Sequence, residues 1–189
     1  MSDDRAIGVF DSGVGGLTVV RAILDLLPDE PLVYLGDTAR SPYGPRPVEE
    51  IRAFALQIAE ELVRRDVKMI VVACNSVEVS AIEDVAAAAG IPVVGVVDPG
   101  VRGAVRATRN HVIGMIGTEA TVKSGAYDRA IREHHAHAEL YSEACPALVD
   151  LVEAGDTTSE RVREAVAGYL APLHNGAHPG PRRWRRSPR

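Results

Sequence analysis

Residues 68 to 80 read KMIVVACNSVEVS, an apolar run that stops at a thiol and passes straight into a helical pattern. Two readings of Cys74 follow. Free cysteine packs as a small hydrophobe, so a sulfur at the tip of a buried strand needs no further role. The position also suits chemistry. Backbone N–H groups left unpaired at a helix start, together with the positive end of the helix dipole, favour a thiolate and pull the thiol below its solution value of about 8.5. Asn75 followed by Glu78 has the spacing of a capping box, which supports a helix beginning at this point.

Working outward, the same strand-then-helix alternation recurs along the chain. Short β-branched runs stand at AIGVFD (6 to 11), PLVYLGD (31 to 37), KMIVVAC (68 to 74), PVVGVVD (92 to 98), HVIGMIG (111 to 117) and AELYSE (138 to 143). Between them lie amphipathic segments. In PVEEIRAFALQIAEELVRR, Ile51, Phe54, Ala55, Ile58 and Leu62 recur on one face, with Pro47 and two glutamates in the first turn and arginines in the last. The alternation predicts an α/β fold of doubly wound parallel sheets with crossover helices, and runs of unbroken apolar residues predict strands covered on both faces. Chemistry in such sheets sits at the carboxyl ends of the strands. The expected division is an α/β domain over residues 1–97, a partial second α/β domain over 98–171 and an atypical tail over 172–189.

The chain has 189 residues, 46% hydrophobic and 25% charged, with a net charge of −5, which is enough to bury a core in one domain or two small ones. Its N-terminus, MSDDRAIGVFDSG, has no signal-peptide pattern, and no apolar run approaches the ~18 residues of a membrane span. A cytoplasmic location is therefore expected. Two cysteines make no disulfide framework, and a reducing compartment keeps both as thiols. The tail differs in kind: the last acidic residue is Glu164, and five arginines and the single tryptophan, Trp184, follow His174. Its composition reads as disordered.

Three strand ends carry the candidate chemistry. The first, DSGVGG (11 to 16), precedes a helical pattern, a junction where glycines allow a tight turn and N–H groups meet an anion. No Lys-Ser/Thr follows, and a third dinucleotide-loop glycine is absent, so neither nucleotide motif applies. A plain turn and an amino-acid binding loop, with Asp11 for an ammonium and Ser12 beside a carboxylate, both remain open. The second, GDTARSPYGP (36 to 45), is a turn-rich loop that is either a connection or, through Tyr43 and the Gly44 backbone, a cover for the same ligand. The third holds Cys74, Asn75 and Ser76. Cys145, in EACPALVDLVEAG, reads as a packed helix start, and Glu153 as a surface acid. The run EHHAHAE offers His134, His135 and His137, but adjacent histidines project in different directions and suit no tetrahedral site, so no metal is expected and a solvated helix end is the reading.

Taken together, IGVFDSGVGGLTV (7 to 19), YLGDTARSPYGP (34 to 45), VVACNS (71 to 76), IPVVGVVDPG (91 to 100), IGMIGTEATVKSGAYDRAI (113 to 131) and ACPALVDLVEAG (144 to 155) resemble, in order and spacing, the glutamate racemases of the aspartate/glutamate racemase family. The resemblance covers roughly residues 6 to 171. It implies two similar α/β domains with the active site between them, the second incomplete here, and a cofactor-independent enzyme that makes D-glutamate for peptidoglycan. By position it implies Cys74 as a catalytic thiol, and Asp11, Ser12, Tyr43, Gly44, Asn75, Ser76, Thr118 and Thr121 as substrate-binding residues, with Glu153 an acid bordering the site. Two thiols on opposite faces of the α-carbon, one removing and one delivering a proton, do without pyridoxal phosphate. The resemblance also implies a second cysteine in a Gly-Cys-Thr-His-Tyr-Pro motif after a helix ending near Leu173. That motif is absent, and Cys145 belongs to a different segment. The expectation is a truncated or frame-shifted product with weak activity, no cofactor and no membrane or nucleic-acid partner; a homodimer is compatible with the sequence, which does not fix oligomeric state. Two other readings stand beside it: a racemase of aspartate or another small acid, and a non-catalytic binding protein that either keeps an acidic-ligand site or contacts nucleic acid through its arginine tail.

Overall fold

The computed structural model describes residues 3–174, which fall into two compact units divided after Gly100. The basic tail beyond His174 lies outside the described residues.

In the first unit, strands β1 (Ile7–Asp11), β2 (Leu32–Gly36), β3 (Met69–Val72) and β4 (Val93–Val94) form one parallel sheet in the order β2-β1-β3-β4. Helix α1 (Leu17–Leu26) joins β1 to β2, α2 (Val48–Arg64) joins β2 to β3, and α3 (Asn75–Ala89) joins β3 to β4. Alternating strand side chains feed two cores. Phe10, Ile70, Val72 and Cys74 pack with Ile51, Ala55 and Leu62 of α2 and Val77 and Val85 of α3. On the opposite side Ile7, Val9, Val71 and Ala73 meet Val19, Val20 and Ile23 of α1. Strand β1 is buried along its whole length, as continuous apolar runs require.

The fourth run is where the structure departs from the sequence pattern. Only Val93 and Val94 are strand, and Val97 and Asp98 begin helix α4 (Val97–Ala107). The backbone N–H groups of Val96 and Val97 are taken by the Glu78 carboxylate rather than by a strand ladder. An acid remote in sequence thus occupies the donors that a longer β4 would use, and Pro99, in the first turn of α4, favours the helix start. The Asn75–Glu78 capping box also fails to form. Cys74, not Asn75, is the N-cap of α3, and Glu78 points away from it.

In the second unit β5 (Val112–Gly117) and β6 (Glu139–Ala144) pair in parallel from Val112↔Glu139 to Gly117↔Ala144. The crossover contains α5 (Glu119–Ser124) and α6 (Ala126–His134), and α7 (Pro146–Glu153) and α8 (Glu160–His174) follow β6. Pro146 occupies the first turn of α7, where its missing N–H costs nothing. Among the described residues no helix is long and apolar enough to cross a membrane.

Candidate active site

The order β2-β1-β3 places the strand that starts the sheet in its middle, with successive connections leaving to opposite sides, so a crevice is expected where β1 and β3 end. Register pairs Phe10 with Val72, which brings the residues just past the two strands together. There the Cys74 thiol donates to the Ser12 hydroxyl oxygen at 3.3 Å. Asp11, buried at the tip of β1, accepts the Gly16 N–H through Oδ2 at 2.9 Å and so closes the DSGVGG loop onto the start of α1. Ser76 is buried in the first turn of α3, and Asn75 is partly buried beside it.

Burial, rather than the helix start, governs the sulfur. Cys74 is 4% exposed, and desolvation pushes its thiol up to about 11, with the Asp11 carboxylate adding to the rise. The Ser12 side chain and the backbone at Val77 and Ser12 pull the other way and lose. This corrects the expectation of a resting thiolate. A helix terminus is worth about 0.3–1 kcal/mol, whereas full burial of a charge moves a pKa by up to ~3–5 units. Alkylation of Cys74 by iodoacetamide is accordingly expected to climb about tenfold per pH unit from neutrality without a plateau until near pH 11. Because the folded thiol binds its proton more tightly than the unfolded one, the stability it contributes is complete below the unfolded value and falls as pH rises toward 11. A plateau in the alkylation profile near pH 7 would contradict the burial argument.

Tyr43 lies in the same buried cluster as Cys74, 1% exposed, and its hydroxyl donates to Asp37 Oδ2. Burial first, then the Asp37 bond and charge, lift the phenol far above its usual range. Arg40 pairs with Asp37 at 2.5 Å and stacks 4.2 Å over the Phe54 ring, which itself packs 5.5 Å from the Tyr43 ring. Tyr43 is therefore clamped, its hydroxyl already engaged, and the partly buried Gly44 follows it in the loop. Asp37 and Arg40 were not singled out from the sequence. The signal available was an acid one residue past β2, whose backbone N–H donates to the Asp11 carbonyl oxygen at the end of β1 at 3.0 Å.

In the second unit Thr118 is the N-cap of α5, accepting the Thr121 N–H at 3.2 Å, with the two hydroxyls 3.0 Å apart. Cys145 caps α7, as its Cys-Pro sequence suggested, and its thiol donates to the Glu143 carbonyl oxygen at 3.6 Å. Its backbone N–H donates to Gly117, the residue before Thr118, at 2.8 Å, so these residues share the carboxyl edge of the β5–β6 sheet. Burial raises the Cys145 thiol, and the Glu143 charge adds to it. Glu153 ends α7 in an exposed position. His134 ends α6, while His135 stacks on His111 with centroids 4.8 Å apart and meets His137 edge-on at 6.4 Å. Among the described residues no group of three His, Cys, Asp or Glu side chains could hold a metal ion.

A parallel α/β sheet with a buried thiol and hydroxyl at its switch point defines a class that comparison makes specific. The model of the family described as Asp/Glu/Hydantoin racemase matches residues 7–177, and the chain belongs to that family. It is 50% identical over 171 residues to the glutamate racemase of Corynebacterium diphtheriae, covering 90% of this chain and 64% of that relative. To the glutamate racemase of Parafrankia sp. it is 53% identical over 167 residues, 88% of this chain and 60% of the relative. Among solved structures, glutamate racemase isoform RacE1 from Bacillus anthracis superposes with a TM-score of 0.83 at 42% identity, over 89% of this chain and 64% of that one. The Francisella tularensis glutamate racemase in complex with D-glutamate gives 0.84 at 38% identity, over 92% and 65%. The chain thus spans 60% to 65% of the length of these relatives.

Proposed function

We propose that this polypeptide carries part of a cofactor-independent glutamate racemase, an isomerase that removes and returns the α-proton of glutamate, in the cytoplasm, as a source of D-glutamate for peptidoglycan. The observation that carries the reading is the Cys74–Ser12 contact beside Asp11 at the ends of β1 and β3, in a chain of this family. Asp11 and Ser12 hold the amino-acid head group, Asn75 and Ser76 extend the same surface, and the Tyr43–Gly44 loop covers it. Within the second unit, Thr118 and Thr121 are substrate-binding residues on the same family reading, with Glu153 a bordering acid.

The raised thiol fits this reading. Asp11 is one of the charges that disfavour the Cys74 thiolate, and the ammonium of a bound amino acid neutralises that charge. Substrate binding therefore lowers the cost of ionising the sulfur at the moment a base is needed. Racemisation needs a second acid on the other face of the α-carbon. The only other cysteine of the 189 residues is Cys145, whose thiol donates to the Glu143 carbonyl. The 189-residue chain is accordingly expected to exchange the α-proton with solvent more readily than it inverts the centre, because Cys74 returns a deuteron to the face it deprotonated.

The test incubates the chain with L-glutamate, D-glutamate and both aspartate enantiomers in deuterium oxide, following α-deuteration by NMR and inversion by chiral chromatography. Deuteration of one glutamate enantiomer at least ~10-fold faster than its inversion is expected, with aspartate slower. Equal rates of deuteration and inversion would show a second acid that the inventory misses, and deuteration of aspartate alone would move the substrate to the shorter acid.

A further inference from the structure

Glu78 lies one turn beyond Cys74 on α3, and its backbone N–H donates to the Cys74 carbonyl oxygen at 2.9 Å. Its half-buried carboxylate spans to the next strand end. There Oε2 accepts the N–H of Val96 at 2.5 Å and of Val97 at 2.9 Å, the point where the chain leaves β4 and begins α4. Gly95 is bare to admit it, since a Cβ there would overlap both carboxylate oxygens. Burial raises the Glu78 carboxyl, while the two backbone bonds pull it down. One side chain therefore ties the first turn of the thiol's helix to the start of the segment that leads out of the unit.

We propose that Glu78 is a positioning residue for Cys74: by binding the Val96 and Val97 amides it fixes the first turn of α3 against the start of α4 and restricts access to the sulfur. Without the carboxylate two backbone donors lose a charged acceptor and the β4–α4 turn relaxes, loosening the helix start that carries the thiol. This inference rests on the reading of Cys74 as the proton-transfer group.

The experiment compares E78A and E78Q in the full chain by two readouts. Amide hydrogen exchange reports the tie at Val96 and Val97, and the iodoacetamide rate at Cys74, localised by peptide mass spectrometry across a pH series, reports the thiol. E78A is expected to raise both by about tenfold at every pH, whereas E78Q, which keeps an acceptor oxygen, stays within roughly threefold of the unaltered chain. An unchanged Cys74 rate in E78A despite faster amide exchange overturns the proposal, as does E78Q behaving like E78A. Should E78A fail to fold, G95A takes its place, because the added methyl displaces the same carboxyl, and an unchanged Cys74 rate there overturns it equally. Protection of Cys74 by glutamate in the unaltered chain tests the racemase reading separately: if protection is absent that reading falls, while the Glu78 comparison still stands or fails by its own rates.

Discussion

Cys74→Ser is expected to reduce α-deuteration of glutamate by at least about 100-fold, down to the buffer rate, because general base catalysis contributes roughly 10²–10⁴ and a serine hydroxyl does not ionise in this range. The substitution is close to isosteric, and the Ser12 hydroxyl that faces the sulfur is available to bond the new oxygen. Folding and glutamate binding should survive, read as an unchanged ligand-induced rise in melting temperature. Loss of turnover with retained binding is the signature of a group that acts on the proton rather than on the head group. If Cys74→Ser kept more than about a tenth of the original exchange rate, the base would have to be sought elsewhere.

The second large effect is on stability. Gly36 ends β2 directly beneath the DSGVGG loop, and a Cβ there would run into the Gly13 carbonyl oxygen and come within 3.1 Å of the Tyr34 ring. The obstacle is backbone, held in place by the Tyr34 hydroxyl, which donates to the same Gly13 oxygen at 2.9 Å. Gly36→Val therefore lifts the loop, breaks that bond and strains the Asp11–Gly16 closure next to it. Overpacking of this kind costs about 1–3 kcal/mol and a lost hydrogen bond about 1 more, so a fall in melting temperature of roughly 10 °C is expected. Leu26→Ala, at a residue 81% exposed on α1, is the control and should move stability by no more than about 0.5 kcal/mol. A Gly36→Val chain as stable as the control would mean that the loop is not pinned to β2.

Where the sequence was informative, local periodicity and burial agree. Ile51, Ala55, Ile58 and Leu62 of α2 are buried as their spacing requires, with Phe54 packed beside them, and β1 is apolar on both sides because helices cover both. Cys74 also falls at the strand-to-helix junction read from its flanks. Most of the features that were not legible are set by partners distant in sequence. Glu78 accepts the Val96 and Val97 N–H groups from another helix, a contact that no window around Val96 contains. The thiol's resistance to ionisation comes from the depth at which α2 and α3 close over it, whereas the helix-start argument sees only neighbours in the chain. Likewise His111 joins His135 only through the folded second unit. The bond from the Tyr43 hydroxyl to Asp37 becomes visible only once the loop is closed.

The two sheets also differ in how they must assemble. Strand β1 has a neighbour on each flank, so either partner can template the other and an incomplete core still retains a ladder. Among the described residues the β5–β6 pair shares a single seam, closed over a crossover about as long as the one between β1 and β2. Closure costs are alike in the two sheets, so the difference lies in the number of seams, and a strand paired on one side gains less from its ladder than one paired on two. Among the described residues, the carboxyl edge bearing Thr118 and Cys145 is therefore expected to exchange its amide hydrogens sooner than the edge bearing Ser12 and Cys74.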